Sequence, residues 1–461
     1  MSKNLTRRRF LAAATATGAG VALGGAAAST QFKAGVGRVP ITPQGPIWMS
    51  GYAARTRPSD GVIHDLWAKA LVMEDGSGGR VVIVTTDLIG LAREVSDEVA
   101  ARLKKKHGIE RSQLVLNSSH THSGPVVWPN LKSMYFIGAE DRDHLVQYSK
   151  KLTDDLVRVV DAAMADRGPA QVSVGHGSAG FAMNRREPNP KGVRIGVNQK
   201  GPVDHDVPVL KVSAPDGKLR AVLFAYACHN TTLGGDLYKI NGDYAGFAEI
   251  ELERALPGTT AMFMILCGAD QNPAPRGKVE LAEKHGRSLA EAVRRVLAGE
   301  LRPVRGPIRT AYEVISLDFA PHQRARFEKD LTSTNRYIQT RAKLMLEAYD
   351  NGRPVRSMPY PVQAVRWNDD LALVALGGEV VVDYALRLKR ENPKENLIVA
   401  GYTNDVPCYI PSVRVLREGG YEPVDSMIYY GQPGPFSENV EETVIGACRK
   451  VLKETGARVS R

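Results

Sequence analysis

Apolar runs of strand length alternate with longer stretches of helical period along most of the chain. The short runs are Val81 to Thr85, Leu114 to Leu116, Val207 to Val212, Ala221 to Tyr226, Ala261 to Leu266, Leu371 to Leu376 and Leu397 to Ala400. The longer stretches, Ala92 to Lys106, His144 to Asp166, Val279 to Leu297, His322 to Tyr349, Val380 to Arg390 and Glu438 to Glu454, predict helices. Ala214-Pro215-Asp216-Gly217-Lys218, between two strand runs, reads as a hairpin. The predicted fold class is therefore α/β, with a mixed β-sheet core flanked by helices. Residues 177–206 are rich in Asn, Pro, Gly and Arg without an apolar period, which predicts a long loop over a site. No internal repeat or low-complexity linker breaks the pattern, so a single large domain is expected.

The segments just beyond the strand runs carry the candidate chemistry. Leu114 to Leu116 leads into Asn117-Ser118-Ser119-His120-Thr121-His122-Ser123-Gly124-Pro125, and Leu223 to Cys228 leads into His229-Asn230-Thr231-Thr232. The run ending at Leu266 precedes Gly268-Ala269-Asp270-Gln271-Asn272-Pro273, that ending at Leu376 precedes Gly377-Gly378-Glu379, and that ending at Ala400 precedes Asn404-Asp405-Val406-Pro407-Cys408-Tyr409. In open α/β sheets ligands bind beyond the carboxyl ends of strands, so these five polar ends are expected to converge. Two or three imidazoles with a carboxylate make a zinc environment that leaves a position open for water. The two-residue spacing of His120 and His122 puts both rings on one side of an extended segment. A lone histidine is better read as hydrogen-bonded inside a packed loop. Two separate strand-end histidine motifs move the reading toward a metal site, and spacing alone leaves both alternatives open.

The amino terminus changes where such a site would work. Thr6-Arg7-Arg8-Arg9-Phe10-Leu11 is followed by a weakly hydrophobic Ala/Gly/Thr-rich stretch without acidic residues, which predicts a twin-arginine export signal over residues 1–28. Read as a helix of the fold instead, this segment would bear Gly18, Gly20, Gly24 and Gly25 at about 1 kcal/mol each. Its apolar part is too short and glycine-rich to remain as a membrane span. The mature product is expected in the periplasm of a Gram-negative cell or secreted from a one-membrane cell. Loss of Lys3, Arg7, Arg8 and Arg9 would lower the formal charge of +11 to +7. That mild excess fits peripheral contact with an anionic membrane surface, but the basic residues are scattered and no nucleic-acid-binding pattern appears. The four cysteines, Cys228, Cys267, Cys408 and Cys448, lack the short paired spacings of a zinc ribbon or redox motif. If His229 and Tyr409 face a site, the adjacent Cys228 and Cys408 should face the core.

The Asn117–Pro125 motif resembles the histidine motif of the neutral, non-lysosomal ceramidase family. The resemblance continues in order through Gly35 to Pro43, Met49 to Ala53, Ile63 to Ala70 and Asp87, then Asn184-Arg185, His229, Gly378-Glu379, Tyr409 and Tyr421. It implies a catalytic domain over residues 32–461 and zinc as cofactor, with His120, His229, Glu379 and Tyr409 as ligands. It places His122 beside the metal, where it could serve a developing oxyanion or a leaving group. It also implies substrate contacts for Arg185 and Tyr421, although the neighbouring Arg186 shows a basic loop and leaves a surface reading of Arg185 open. Asp270 occupies a position where the family retains an acid.

Two departures bear on the substrate. Where the family carries a serine in a Gly-Asp-x-Ser-Pro arrangement, this chain has Asn272. An amide cannot act as a nucleophile, so an acyl-enzyme through this position is excluded, while metal-activated water remains compatible with Asn272 donating a hydrogen bond. The family's carboxy-terminal β-sandwich domain is also expected to be absent after the helix ending near Glu454. Three readings stay open: a hydrolase of ceramide-like lipid amides, a diverged zinc hydrolase acting on a small polar amide, ester or sugar-derived substrate, and a non-catalytic metal- or ligand-binding descendant. The first calls for a deep apolar channel, the second for an Arg- and Asn-lined pocket.

Overall fold

The computed structural model describes residues 32–457, and the expected export signal lies outside the described residues. Eight strands pair in the order Thr260–Ile265, Leu219–Tyr226, Asp206–Ser213, Gly168–Ser178, Phe32–Pro40, Trp67–Glu74, Arg80–Thr86 and Leu114–Ser118, and a short ninth, Arg302–Val304, adds to Gly168–Ser178. The outermost pair at each edge is parallel. Every pair between them is antiparallel. The sheet is mixed, as the hydrophobic pattern predicts, and the sequence 214–218 is the turn between two of its antiparallel strands.

A second sheet of four strands, Ile308–Asp318, Ser357–Trp367, Leu371–Leu376 and Leu397–Ala400, packs face to face with the first. Alternation along each strand divides the core into layers. Ile83, Leu223 and Met264 of the large sheet meet Trp367, Leu371 and Leu373 of the second. Val82, Val84 and Leu116 point the other way, onto helices Arg93–His107 and Ala139–Ala165, while Val222, Phe224 and Phe263 point onto Asp243–Ala255 and Val279–Ala298. Helices Val382–Glu391 and Val440–Glu454 cover the outer face of the second sheet. The order is helix, sheet, sheet, helix.

Three expectations need correction. Residues 177–206 are not a loop: Ala182–Asn189 and Gly192–Asn198 form an antiparallel hairpin, and Ala182–Asn189 also pairs with the short strand Gln271–Pro273. Ala182–Asn189 carries mostly polar residues, which hides it, whereas Gly192–Asn198 does alternate Val193, Ile195 and Val197, a period of two that the loop expectation overlooks because Gly, Asn and Lys residues surround so short a run. The expected helix from His322 to Tyr349 is two helices, Arg324–Asp330 and Arg336–Asp350. Thr332, Ser333 and Thr334 interrupt it, and the Asn335 side chain caps the second helix by accepting from Tyr337 N at 2.9 Å. Third, the helix expected from Val380 starts at Val382, and Val380 sits instead with Glu379 in a two-residue strand.

Candidate metal centre

The polar strand ends converge because the large sheet curls until its two edges meet. Asn117, on the edge strand Leu114–Ser118, donates from Nδ2 to Ile265 O at 3.3 Å and accepts at Oδ1 from Ile265 N at 3.0 Å on the opposite edge. Beyond that seam Thr121 and Asn230 form an isolated parallel bridge, which carries the segments bearing His120, His122 and His229 side by side. Each of the three rings offers a nitrogen within 4.8 Å of the others. His120 adopts the left-handed backbone region at φ 62, a conformation that costs a non-glycine residue about 1–2 kcal/mol. Hydrogen bonds from its N–H to Leu88 O at 2.8 Å and from Nδ1 to Ile89 O at 2.6 Å hold it there.

The second sheet supplies the oxygen atoms. Glu379–Val380 pairs in parallel with Tyr409–Ile410, and the register sets Glu379 directly beside Tyr409. Glu379 Oε2 lies 3.0 Å from His120 Nε2 and 3.1 Å from His229 Nε2, and the Tyr409 hydroxyl lies 3.3 Å from His229 Nε2. His122 Nε2 lies 3.1 Å from His120 Nε2.

Protonation is set by the partners of the far ring nitrogens. His120 Nδ1 donates to Ile89 O, and His229 Nδ1 donates to Gly268 O at 2.9 Å, so each neutral ring directs an Nε2 lone pair at the carboxylate. Burial, with repulsion from Arg185, pushes His229 down to about 3. Glu379 Oε2 is buried and receives no hydrogen bond. Three lone-pair donors thus face one another, an arrangement that a cation among them relieves. The backbone acceptors behind both rings are the partners that metal-bound imidazoles use to fix their tautomer. Two imidazoles, a carboxylate and a phenol can therefore hold a metal ion, with His122 near enough to join or assist them.

Around this cluster the remaining expected residues take definite places. Arg185 is 4% exposed, which removes the surface-loop alternative. It donates from Nη2 to the Tyr409 hydroxyl at 3.1 Å, from Nη1 to Asn272 Oδ1 at 3.4 Å and from Nε to Glu422 at 2.7 Å. Asn272 Oδ1 also accepts from Thr231 Oγ1 at 3.2 Å. The Tyr421 ring stands edge-on to Tyr409 at 5.6 Å and is partly exposed. Asp270, a candidate for the chemistry, turns its carboxylate to structure: it accepts from Val382 N at 2.8 Å, at the start of a helix, and from Asn184 Nδ2 at 3.2 Å. Its backbone O accepts from Arg185 N at 2.8 Å, so its link to the cluster is positional. All four cysteines are buried and unpaired, and burial pushes Cys228 and Cys408 well above the ordinary thiol range.

Sequence reasoning misses four contributors. Tyr430 donates to Glu379 Oε1. Glu422 bridges Arg185 and Arg186. Arg55, 4% exposed, donates to His122 O at 2.7 Å. Gly51, at φ +93, lies flat against the His122 ring, where a Cβ would come within 2.4 Å of Nδ1. Gly51 falls within the Met49–Ala53 block, so a signal exists for it. The other three are a basic residue after an alanine pair and two residues of the segment 421–432, in which no periodicity distinguishes them.

The sequence profile of the Neutral/alkaline non-lysosomal ceramidase, N-terminal, family matches residues 32–297. Neutral ceramidase of Pseudomonas aeruginosa is 27% identical over 230 residues, 48% of this chain and 33% of that protein. Neutral ceramidase of Mycobacterium tuberculosis is 26% identical over 225 residues, 46% of this chain and 34% of its own length. The aligned stretch thus spans about a third of these relatives. The crystal structure of the Pseudomonas aeruginosa neutral ceramidase superposes with a TM-score of 0.71 at 19% identity, covering 94% of this chain and 77% of that one.

Proposed function

Since the chain belongs to the neutral/alkaline non-lysosomal ceramidase family, we propose that it is a zinc-dependent hydrolase cleaving an N-acyl amide, with His120, His229, Glu379 and Tyr409 holding the ion. The observation that carries this reading is Glu379 Oε2, buried without a donor between two Nε2 lone pairs. When bound, zinc supplies Lewis-acid activation of water and of the acyl carbonyl.

The chain's own residues supply the rest. His122 is partly exposed beside the cluster, and burial and its neighbouring imidazoles keep its ring neutral, well below the usual histidine range. It accepts a proton from the attacking water as the new C–O bond forms, then returns a proton to the amine nitrogen as the C–N bond breaks. Asn272 Oδ1 is occupied by Arg185 and Thr231, which leaves Nδ2 to donate to the acyl oxygen as charge develops there. Arg185 orients Tyr409, and Tyr421 meets the substrate at the open side.

Two substrate classes fit. Family membership favours a ceramide-like lipid amide. Arg185, Asn272, Thr231, Tyr421 and Tyr430 near the ligands favour a smaller polar amide, ester or sugar-derived compound. Residues 1–28 would export the enzyme, and no helix among the described residues is long and apolar enough to cross a membrane. A hydrolysis screen on the purified mature protein decides, using short- and long-chain ceramides beside polar N-acyl amides and esters, with metal content measured and a chelated control. Chelator-sensitive cleavage of either class supports the proposal and selects the substrate. Protein that binds no zinc sinks it.

A further inference from the structure

We propose that Tyr430 is a positioning residue whose hydroxyl occupies Glu379 Oε1 and so reserves Oε2 alone for the ion between His120 and His229. The inference rests on the metal-site reading under Proposed function. Its starting point is the asymmetry of one carboxylate: Oε1 accepts from the Tyr430 hydroxyl, whereas Oε2 is the atom 3.0 and 3.1 Å from the two imidazole nitrogens and has no donor.

A carboxylate left to itself binds a cation through one oxygen or both. A hydrogen bond to one oxygen draws charge from it and fixes the plane of the group, which favours single-oxygen ligation and keeps a coordination position open for water or substrate. Glu379 needs such an external brace because its own backbone is a two-residue strand that comes directly after Gly378 at φ +72.

Tyr430 is held firmly enough to provide it. The short helix Met427–Tyr430 ends on Gly431 in the left-handed region at φ 67, whose N–H bonds back to Met427 O. A Cβ at Gly431 would lie 2.7 Å from Ser133 Oγ and 3.0 Å from Leu344 Cδ1, so the turn is wedged between two other elements. Leu344 belongs to Arg336–Asp350, in the helical excursion inserted between strands Ile308–Asp318 and Ser357–Trp367, which pair directly. The same helix sets Tyr337 against the Tyr429 ring at 5.0 Å and anchors it through a hydrogen bond to Ala53 O at 2.8 Å. On the other side the Tyr430 ring stands edge-on to Tyr409 at 6.1 Å. The inserted helices thus brace the turn that presents one hydroxyl to one carboxylate oxygen.

The test compares wild type, Tyr430→Phe, Gly431→Ala and Tyr429→Phe, each loaded with Co2+ for visible absorption and with Zn2+ for competition against a chelating dye. Ligation through one oxygen keeps the cobalt coordination number low and its visible bands intense; ligation through both weakens them. Tyr430→Phe is expected to lose several-fold intensity and to bind zinc about 10–100-fold more weakly, the usual cost of removing a hydrogen bond behind a ligand. Gly431→Ala, which displaces the turn instead of deleting the hydroxyl, is expected to shift both readouts the same way. Tyr429→Phe is expected to match wild type. A Tyr430→Phe protein with wild-type cobalt bands and zinc affinity overturns this inference alone. Wild type that takes up neither ion overturns the metal-site reading and this inference with it.

Discussion

The Asn117 side chain pairs with the Ile265 backbone as a neighbouring strand would, donating to its carbonyl at 3.3 Å and accepting from its N–H at 3.0 Å. Its Nδ2 also reaches Gly401 O at 2.9 Å and Thr403 Oγ1 at 3.1 Å, so one amide joins both edges of the large sheet to the second sheet. Every group in this seam is buried. Asn117→Ala leaves several of them unmet, at about 1–3 kcal/mol each. Urea denaturation is expected to show a loss of roughly 3 kcal/mol or more by the same principle. A loss below about 1 kcal/mol would mean that the edges are held by packing rather than by this amide.

A bound ion has a thermodynamic signature that is independent of activity. Zinc that binds only the folded chain adds about 2.7 kcal/mol to its stability at a hundredfold excess over Kd. Wild type should show that gain on zinc addition and lose it on chelation. Glu379→Ala removes the carboxylate facing both Nε2 atoms and should abolish the zinc-dependent gain. A full zinc response in this variant would place the ion elsewhere.

Gly51 tests His122 without touching any proposed ligand. An alanine there puts its Cβ 2.4 Å from His122 Nδ1 and 2.5 Å from Cγ, at a φ of +93 that side chains resist. The imidazole has to move. Displacement of a catalytic group by about 1 Å can cost about a hundredfold in rate. Gly51→Ala is therefore expected to keep its zinc and lose about two orders of magnitude in kcat. Unchanged kcat would remove His122 from the proton transfer.

How far the sequence announces this site depends on the residue. His120 and His229 are legible because each comes after a strand-length apolar run, and the structure shows that both runs belong to parallel edge pairs that curl together. Glu379 is legible for the same reason. Tyr409 is suggested only by family resemblance, since a tyrosine after a strand usually packs. Tyr430 and Glu422 leave no pattern because their partners lie 51 and 237 residues away in the chain. The fold shows the same contrast. The strand Phe32–Pro40 escapes a hydrophobic reading because Gly35 and Gly37 replace apolar side chains on one face. A Cβ at either would strike the backbone of helix Ala139–Ala165, 1.9 Å from Ala163 O or 2.2 Å from Val159 O. Close strand–helix approach demands glycine there, and glycine hides the strand.

Asp270 gives the protein a predictable response to pH. Burial pushes its carboxyl up to about 7, although the Val382 N–H opposes the shift. In the unfolded chain the same group loses its proton near 4. Between those values the folded state binds more protons, so the stability from this group is complete below about pH 4 and is lost as pH rises to about 7. Asp270→Asn removes the titration and can still accept from Val382. Relative to wild type it should gain stability with rising pH, at up to about 1.4 kcal/mol per unit, and level off above about pH 7. A constant difference across that range would show that Asp270 ionises normally.

The role of Asn272 can be separated from its packing by changing one atom. Its Oδ1 holds Arg185 and Thr231, whereas Nδ2 is the atom assigned to the acyl oxygen. Asn272→Asp preserves shape and both acceptor contacts, and it places a carboxylate beside the Arg185 guanidinium, so folding stability should not fall. The change removes the donor and puts in its place an oxygen that repels a developing oxyanion. Loss of one such donor costs about 100- to 1000-fold in kcat, and KM is expected to change much less because the interaction strengthens only as charge develops. Zinc content should stay at the wild-type level, since Asn272 is not among the proposed ligands. Asn272→Ser then addresses the family residue directly: a serine here restores a hydroxyl, and if water is the nucleophile the variant should form no covalent acyl adduct under rapid quench. An acyl-serine detected in that variant would mean that the surrounding residues still support nucleophilic catalysis and that Asn272 alone diverts the reaction to water.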